Sequence, residues 1–249
     1  MAKSHAFTLI EIAIVLALIG LLVGGVFAGA SLVKGTRINA QVAQFKKIEN
    51  AFNLFRLTYG AFPGDMSNAS RFWSTATGGN GNRLIDDAGS NACAGGCGQI
   101  HNNGEKSSFF HHLSIAEMVP ETYISPYAAS NAYIGVSVPQ LFLYPSSHFM
   151  VAASMWYTST SFGMDRVNPN APTKGIYLFA ASNSYGVYAF NPPEAAQIDR
   201  KMDDGYPTSG RLWGVWNNSC ITATTPALYR SDTTKGFSSG CGLQYVLQK

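Results

Sequence analysis

Charged residues are scarce in this sequence: Asp, Glu, Lys and Arg make up 12% of the chain, about half the usual share. A net charge of +3, with no basic cluster longer than Lys46-Lys47, offers nucleic acid no footprint. Proline is missing before Pro63, so nothing of that kind interrupts the first sixty positions. Cysteine is missing before Cys93, and no G-x4-G-K-[ST] phosphate loop occurs anywhere. The match of Gly236-Phe237-Ser238-Ser239-Gly240 to G-x-S-x-G fails as a nucleophile elbow, because no Asp, Glu or His follows Ser238. His111 and His112 are adjacent on a predicted helix, so they cannot face one metal, and a half-buried pair is expected. No catalytic constellation emerges, and the chain reads as a non-enzyme.

What is present in excess is apolar length. Between Phe7 and Val33 the only charged side chain is Glu11. A run of about 27 apolar residues is more than the roughly 20 that span a bilayer. A carboxylate within such a run costs about 2.5–3.5 kcal/mol at mid-membrane, so it normally has a partner. Three readings compete. The run could be a cleaved secretory signal ending at Ala28-Gly29-Ala30, leaving Ser31 as the mature N terminus. It could be a plain anchor. Or a short leader is removed on the cytoplasmic side and the helix retained. Only the third accounts for Glu11: a cut after Ala6 makes Phe7 the N terminus, and its amine can neutralise Glu11 of a neighbouring copy. Gly20, Gly24, Gly25 and Gly29 would let such helices approach closely. One feature opposes this orientation. Lys34 and Arg37 follow the run while only Lys3 precedes it, contrary to the positive-inside rule.

Ala6-Phe7-Thr8-Leu9-Ile10-Glu11, after a short leader with a lysine and before a long apolar helix, resembles the prepilin processing motif. That motif is shared by type IV pilins and by the pseudopilins of type II secretion. The resemblance covers roughly residues 1–60. It implies that a prepilin peptidase cuts between Ala6 and Phe7 and methylates Phe7, and that Phe7 and Glu11 direct assembly with identical or related subunits. It also implies an inner-membrane prepilin that later enters a periplasmic or surface filament. Ala6 stands where glycine is most usual, and the proline common partway along the family's helix is absent here.

Beyond Lys34, the residues Ile38, Val42, Phe45, Ile48, Phe52, Phe55 and Tyr59 recur at intervals of three and four, one apolar stripe. The spacing predicts one helix from Phe7 to Thr58, about 78 Å long, ended by Gly60 and Pro63. The expected architecture is α+β: a leader over 1–6, this helix over 7–58 with 7–33 in the membrane, and an antiparallel sheet head over 59–249. Strands are predicted at Tyr133–Val138, Gln140–Tyr144, His148–Met155, Gly175–Ala181, Gly186–Phe190, Leu212–Trp216 and Gln244–Leu247. Helices are predicted at Phe109–Met118 and Pro193–Met202.

Four cysteines, Cys93, Cys97, Cys220 and Cys241, suit two disulfides in an exported chain, with three connectivities open. Proximity favours Cys93–Cys97 and Cys220–Cys241. A zinc site at Cys93, Cys97 and His101 competes, but C-x3-C is not the common spacing. Asp199, Asp203 and Asp204 before Gly205 form a carboxylate cluster of the kind that suits Ca²⁺, and some pseudopilins order a loop with calcium. A solvated turn at a helix end is the alternative. Asn80-Gly81-Asn82 with Asp86 and Asp87 half-resembles a calcium loop but has Asn91 where glutamate would be needed. The segments 59–73 and 198–210 also resemble stretches of large pilin-like heads.

Overall fold

Thr8 starts the first element because its hydroxyl can satisfy an amide that a helix N terminus leaves open. The computed structural model describes residues 8–85, 105–124, 134–152, 175–182, 189–214, 220–222, 226–231 and 240–248. In it, helix α1 runs without a break over Leu9–Tyr59 and stops at Gly60, whose left-handed backbone (φ 66°) lets its N–H reach the Arg56 carbonyl. Both ends agree with expectation to within a residue or two, apart from Phe7, which lies outside the described residues.

The two halves of α1 have opposite surroundings. From Leu9 to Val33 every described side chain is exposed, on all sides of the helix. From Ile38 the predicted stripe is in the core: Ile38, Phe45, Ile48, Phe52 and Phe55 are buried, with Val42 and Tyr59 packed beside them. Fully burying one such side chain contributes roughly 1.5–3 kcal/mol, so the stripe dominates attachment of the head to the helix.

Against this stripe lies a four-stranded antiparallel sheet. Its strands are β1 (Ser147–Ala152), β2 (Ile176–Ser182), β3 (Leu212–Gly214) and β4 (Leu243–Gln248), in the order β1-β2-β4-β3. Phe149, Val151, Leu178, Leu243 and Tyr245 point to α1, and Phe45 meets Phe149 edge-on at 4.8 Å. The second face is buried as well: Tyr177, Phe179, Trp213 and Val246 form a separate apolar cluster with Met150 against it. Burial on both faces is why the strands read as nearly continuous apolar runs. Helices α2 (Glu105–Ile115) and α3 (Pro192–Met202) flank the sheet, and both pack on α1.

Several expected elements differ. Residues 134–138 form a tight turn closed by a single Ile134–Val138 bridge, because Gly135 at φ 77° reverses the chain. Gln140–Tyr144 is not a strand either: apart from one bridge to His148, its amides bond to Gln41 and Gln44 of α1. The strand predicted at His148–Met155 is described only to Ala152, and that at Leu212–Trp216 only to Gly214. Of Gly186–Phe190, only 189–190 is described, and there Phe190 bridges Cys241. Helix α2 begins at Glu105 and stops at Ile115, three residues short of Met118, where Glu117 adopts a positive φ of 57°. Helix α3 begins one residue earlier than expected, capped by Asn191 with Glu194 returning the bond.

The FPGD turn after α1 is held by backbone contact that only glycine permits. A Cβ on Gly64 (φ 88°) would lie 2.2 Å from the Glu105 carbonyl oxygen. The Gly64 N–H donates to His112 Nδ1 at 2.9 Å, which leaves Nε2 to donate to the Thr77 carbonyl at 2.9 Å. Asp65 accepts from the Asn82 and Arg83 amides, and Glu105 from Asn80. Asn80 and Asn82 therefore belong to a loop organised by Asp65 and Glu105, while Asp86 and Asp87 lie outside the described residues. His111 and His112 are both buried, not half-buried, and are separately bonded, His111 Nδ1 to the Tyr123 carbonyl and His112 Nε2 to that of Thr77. Gly64→Ala is expected to destabilise the head by about 2 kcal/mol or more, since backbone must move on both sides. Thermal unfolding followed by near-UV circular dichroism would check this.

Cys220 and Cys241 form a disulfide (Cα–Cα 4.9 Å), one of the two expected pairs. It fixes the start of β4 to the 220–230 segment. Cys93 and Cys97, with His101, lie outside the described residues.

Candidate functional site

Two places carry the chemistry singled out in the sequence: the N terminus of α1 and the acidic turn after α3. At the first, Glu11 is the third residue of the helix and closes a capping box. Its Oε2 accepts the Thr8 N–H and hydroxyl, both at 2.8 Å, and its own N–H donates to Thr8 Oγ1 at 3.3 Å. A carboxylate here also faces the positive end of the helix dipole. The capping role is legible in the spacing Thr8-x-x-Glu11, whose hydroxyl and carboxylate types suit a reciprocal cap. It does not use up the side chain: among the described residues Oε1 accepts no bond. Ala6 and Phe7 lie outside the described residues, so the cleavage and methylation positions are not seen.

Residues 1–27 match the prokaryotic N-terminal methylation motif. This is the signature of type IV pilins and pseudopilins, and it supports a pilin-like or pseudopilin protein. The motif indicates a structural protein family and not an enzyme family, and it implies processing by a prepilin peptidase and assembly with related subunits. Together with the exposed apolar half of α1, it fits a prepilin anchored in the inner membrane. Comparison with curated proteins and with solved structures returns no match.

The second place is built by the end of α3. The structure brings Asp199, Asp203 and Asp204 together, each offering a carboxylate oxygen within 4.8 Å of the others. These groups also tie the turn. Asp199, fully buried, accepts from Gly205 N–H at 3.1 Å and from the Tyr229 hydroxyl at 2.8 Å. Asp203 Oδ2 accepts the amides of Arg211 and of Leu212, the latter at 2.9 Å. Asp204 accepts the Tyr206 amide at 2.8 Å and the Ser209 hydroxyl. Gly210 is forced by proximity, for a Cβ there would meet Asp203 Oδ2 at 1.9 Å. Burial first, and then the charges of Asp204 and Asp203, push the Asp199 carboxyl up to about 7, against the bonds from Tyr229 and Gly205. Oxygen donors crowded this closely are a hard-ligand set that suits Ca²⁺, with its need for six to eight oxygens, better than softer metals.

A third arrangement escaped sequence reasoning. The side chain of Arg211, whose backbone Asp203 holds, reaches Glu49 of α1 at 2.7 Å and lies over the Tyr245 ring at 4.9 Å. Glu49 also accepts from Lys46 at 3.1 Å and from the Tyr245 hydroxyl at 2.9 Å. Burial raises the Glu49 carboxyl, but the bonds from Lys46, Tyr245 and Arg211 outweigh it and hold the group below its usual range. The available signal was position: Glu49 sits inside the apolar stripe, between Phe45 and Phe52, where an acid needs a buried partner. The acidic turn is thus tied through Arg211 to the docking of the head on the helix.

Proposed function

We propose that the chain is a structural subunit that polymerises through its N-terminal helix into a type IV pilus-type filament after removal of residues 1–6. The observation that carries this reading is the all-round exposure of Leu9–Val33 on a helix that otherwise packs tightly. Such a surface has two good solvents, lipid before assembly and the same surface of neighbouring subunits afterwards. Withdrawal from lipid then favours helix-on-helix burial, the source of filament cohesion. Within that bundle the Oε1 of Glu11 takes the α-amine of a neighbour's Phe7, which fixes axial register. The head, from residue 59 onward, faces the periplasm or the cell exterior.

The same N-terminal motif serves the short pseudopilus of type II secretion, so the two uses are separated by phenotype. Loss of surface filaments on deletion marks a pilus subunit, whereas loss of enzyme secretion marks a pseudopilin. The mass of the mature N-terminal peptide, taken from membrane and sheared-filament fractions, tests the reading common to both. A peptide beginning at methylated Phe7 supports it. One beginning at Ser31 would mean that the helix is discarded and the head is a free secreted domain.

At the acidic turn the proposed ligand is Ca²⁺, held by Asp199, Asp203 and Asp204. A bound cation would neutralise the three crowded carboxylates and hold Asp199 ionised. Added CaCl₂ is expected to raise the Tm of the head, by about 2–4 °C per kcal/mol of linkage for a domain of this size. Asp203→Asn should abolish the increment. An equal increment with MgCl₂, or none with either salt, would leave the carboxylates as turn-forming groups alone.

A further inference from the structure

The base of the head carries an aromatic side chain left largely exposed among the described residues. Phe142 is 54% exposed although the residues on either side of it, Leu141 and Leu143, are buried. Its segment is clamped along α1 in descending order. The Gln140 carbonyl and the Phe142 amide bond to Gln44, the Leu143 amide to Gln41 at 3.1 Å, and the Leu143 carbonyl to Arg37 at 3.0 Å. The chain then turns at Tyr144–Ser147, and β1 climbs away again, with Phe149 already level with Phe45. Among the described residues, then, the tip at 142–146 points toward the apolar half of α1.

No linker separates this tip from the membrane-spanning segment. Val33 is the last residue of the apolar run and Ile38, five residues on, is completely buried by the head. Five residues of helix rise about 7–8 Å, close to the thickness of one headgroup layer. Lys34 and Arg37 occupy that interval, both exposed. Glu194, the acid bonded to Tyr144 of this tip, accepts its hydroxyl at 2.7 Å and is buried.

We propose that the base of the head docks on the bilayer surface while the subunit is anchored in the membrane, with Phe142 seated at the interface and Lys34 and Arg37 against anionic phospholipid headgroups. Aromatic and basic side chains at this depth are those the interface accepts. The proposal also gives a use to the two cations that oppose the positive-inside rule: they serve the bilayer surface and, through Arg37, the head. The head is held in a defined pose on the bilayer, and extraction into a filament must break that contact as well as remove the helix from lipid.

This inference rests on the retained membrane helix proposed above, and the test separates the two. Full-length chains bearing the photocrosslinker p-benzoyl-phenylalanine at Val23, Phe142 or Phe72 are reconstituted into nanodiscs of phosphatidylethanolamine and phosphatidylglycerol and irradiated. Phe72 is equally exposed but belongs to the far end of the head, beside Tyr59 and Trp73. Lipid adducts are expected at positions 23 and 142 and not at 72. Adducts at 23 without adducts at 142, or a second copy of the chain captured at 142 in place of lipid, would overturn the docking while leaving the membrane helix intact. Equal lipid capture at 142 and 72 would also overturn it, as unspecific contact. No lipid adduct at 23 would remove the membrane helix, and the docking with it.

Discussion

Replacing Glu11 by alanine is expected to leave removal of the leader intact and to abolish filaments. Two contributions disappear in that variant: the capping box with Thr8 and the negative charge that takes a neighbour's amine. Loss of the cap alone weakens one helix terminus by about 1 kcal/mol, too little to unfold a helix of 51 residues anchored at its other end. Loss of the charge acts at every contact along the filament. Glu11→Gln distinguishes the two, since glutamine can complete a capping box but carries no charge. Both variants should yield a mature N terminus at Phe7 by mass spectrometry, with no filaments in the sheared fraction. Filaments restored by glutamine but not alanine would assign Glu11 to capping and remove it from register setting.

Acid is expected to destabilise the head between about pH 6.5 and 4, and two buried histidines set that window. Burial lowers both His112 and His148 to about 4. Their folded-state pKa is depressed, so the unfolded chain binds more protons across the window. The stability they contribute is therefore complete above the unfolded value near 6.5 and is lost as pH falls toward 4. At 1.36 kcal/mol per unit, each accounts for at most about 3 kcal/mol. Asp199 acts in the opposite direction. Its folded-state pKa is raised to about 7, so its share falls as pH rises through the same range. Two histidines outweigh one aspartate, and the net sign is loss of stability on acidification. His148 is the cleaner target, because among the described residues neither ring nitrogen has a hydrogen-bond partner, whereas His112 holds the Gly64 turn. His148→Leu removes an unpaired buried polar group, and should raise Tm at pH 7 and flatten the acid limb. Urea titrations from pH 7 to 4 in chelator would check both, and a variant with an unchanged acid limb would show that His148 is not one of the groups responsible.

The two halves of α1 show how differently sequence and structure speak. Leu9–Val33 and the stripe from Ile38 to Tyr59 were both legible because helical periodicity is local: apolar residues at intervals of three and four need no partner to be recognised. The strands of the head were legible only where apolar runs met a neighbour. Tyr133–Val138 and Gln140–Tyr144 have β-favouring residues too, but the first turns on Gly135 and the amides of the second are claimed by Gln41 and Gln44 from a hundred residues earlier. Strand pairing is a long-range choice that composition cannot decide.

The candidate sites divide along the same line. The prepilin motif, the apolar helix with its one carboxylate, the apolar stripe and the proximity that favours Cys220–Cys241 can all be read from the chain alone, since each is written in spacing along it. Tertiary packing settled the rest: Asp199, Asp203 and Asp204 converge, Arg211 of the turn after α3 reaches Glu49 and Tyr245, His148 is buried with no hydrogen-bond partner among the described residues, and Phe142 is left exposed on a segment held by Gln44, Gln41 and Arg37, four to eleven residues beyond Val33. Those arrangements depend on which distant segments share a surface, and burial and charge pairing act on distance in space, not on distance in sequence.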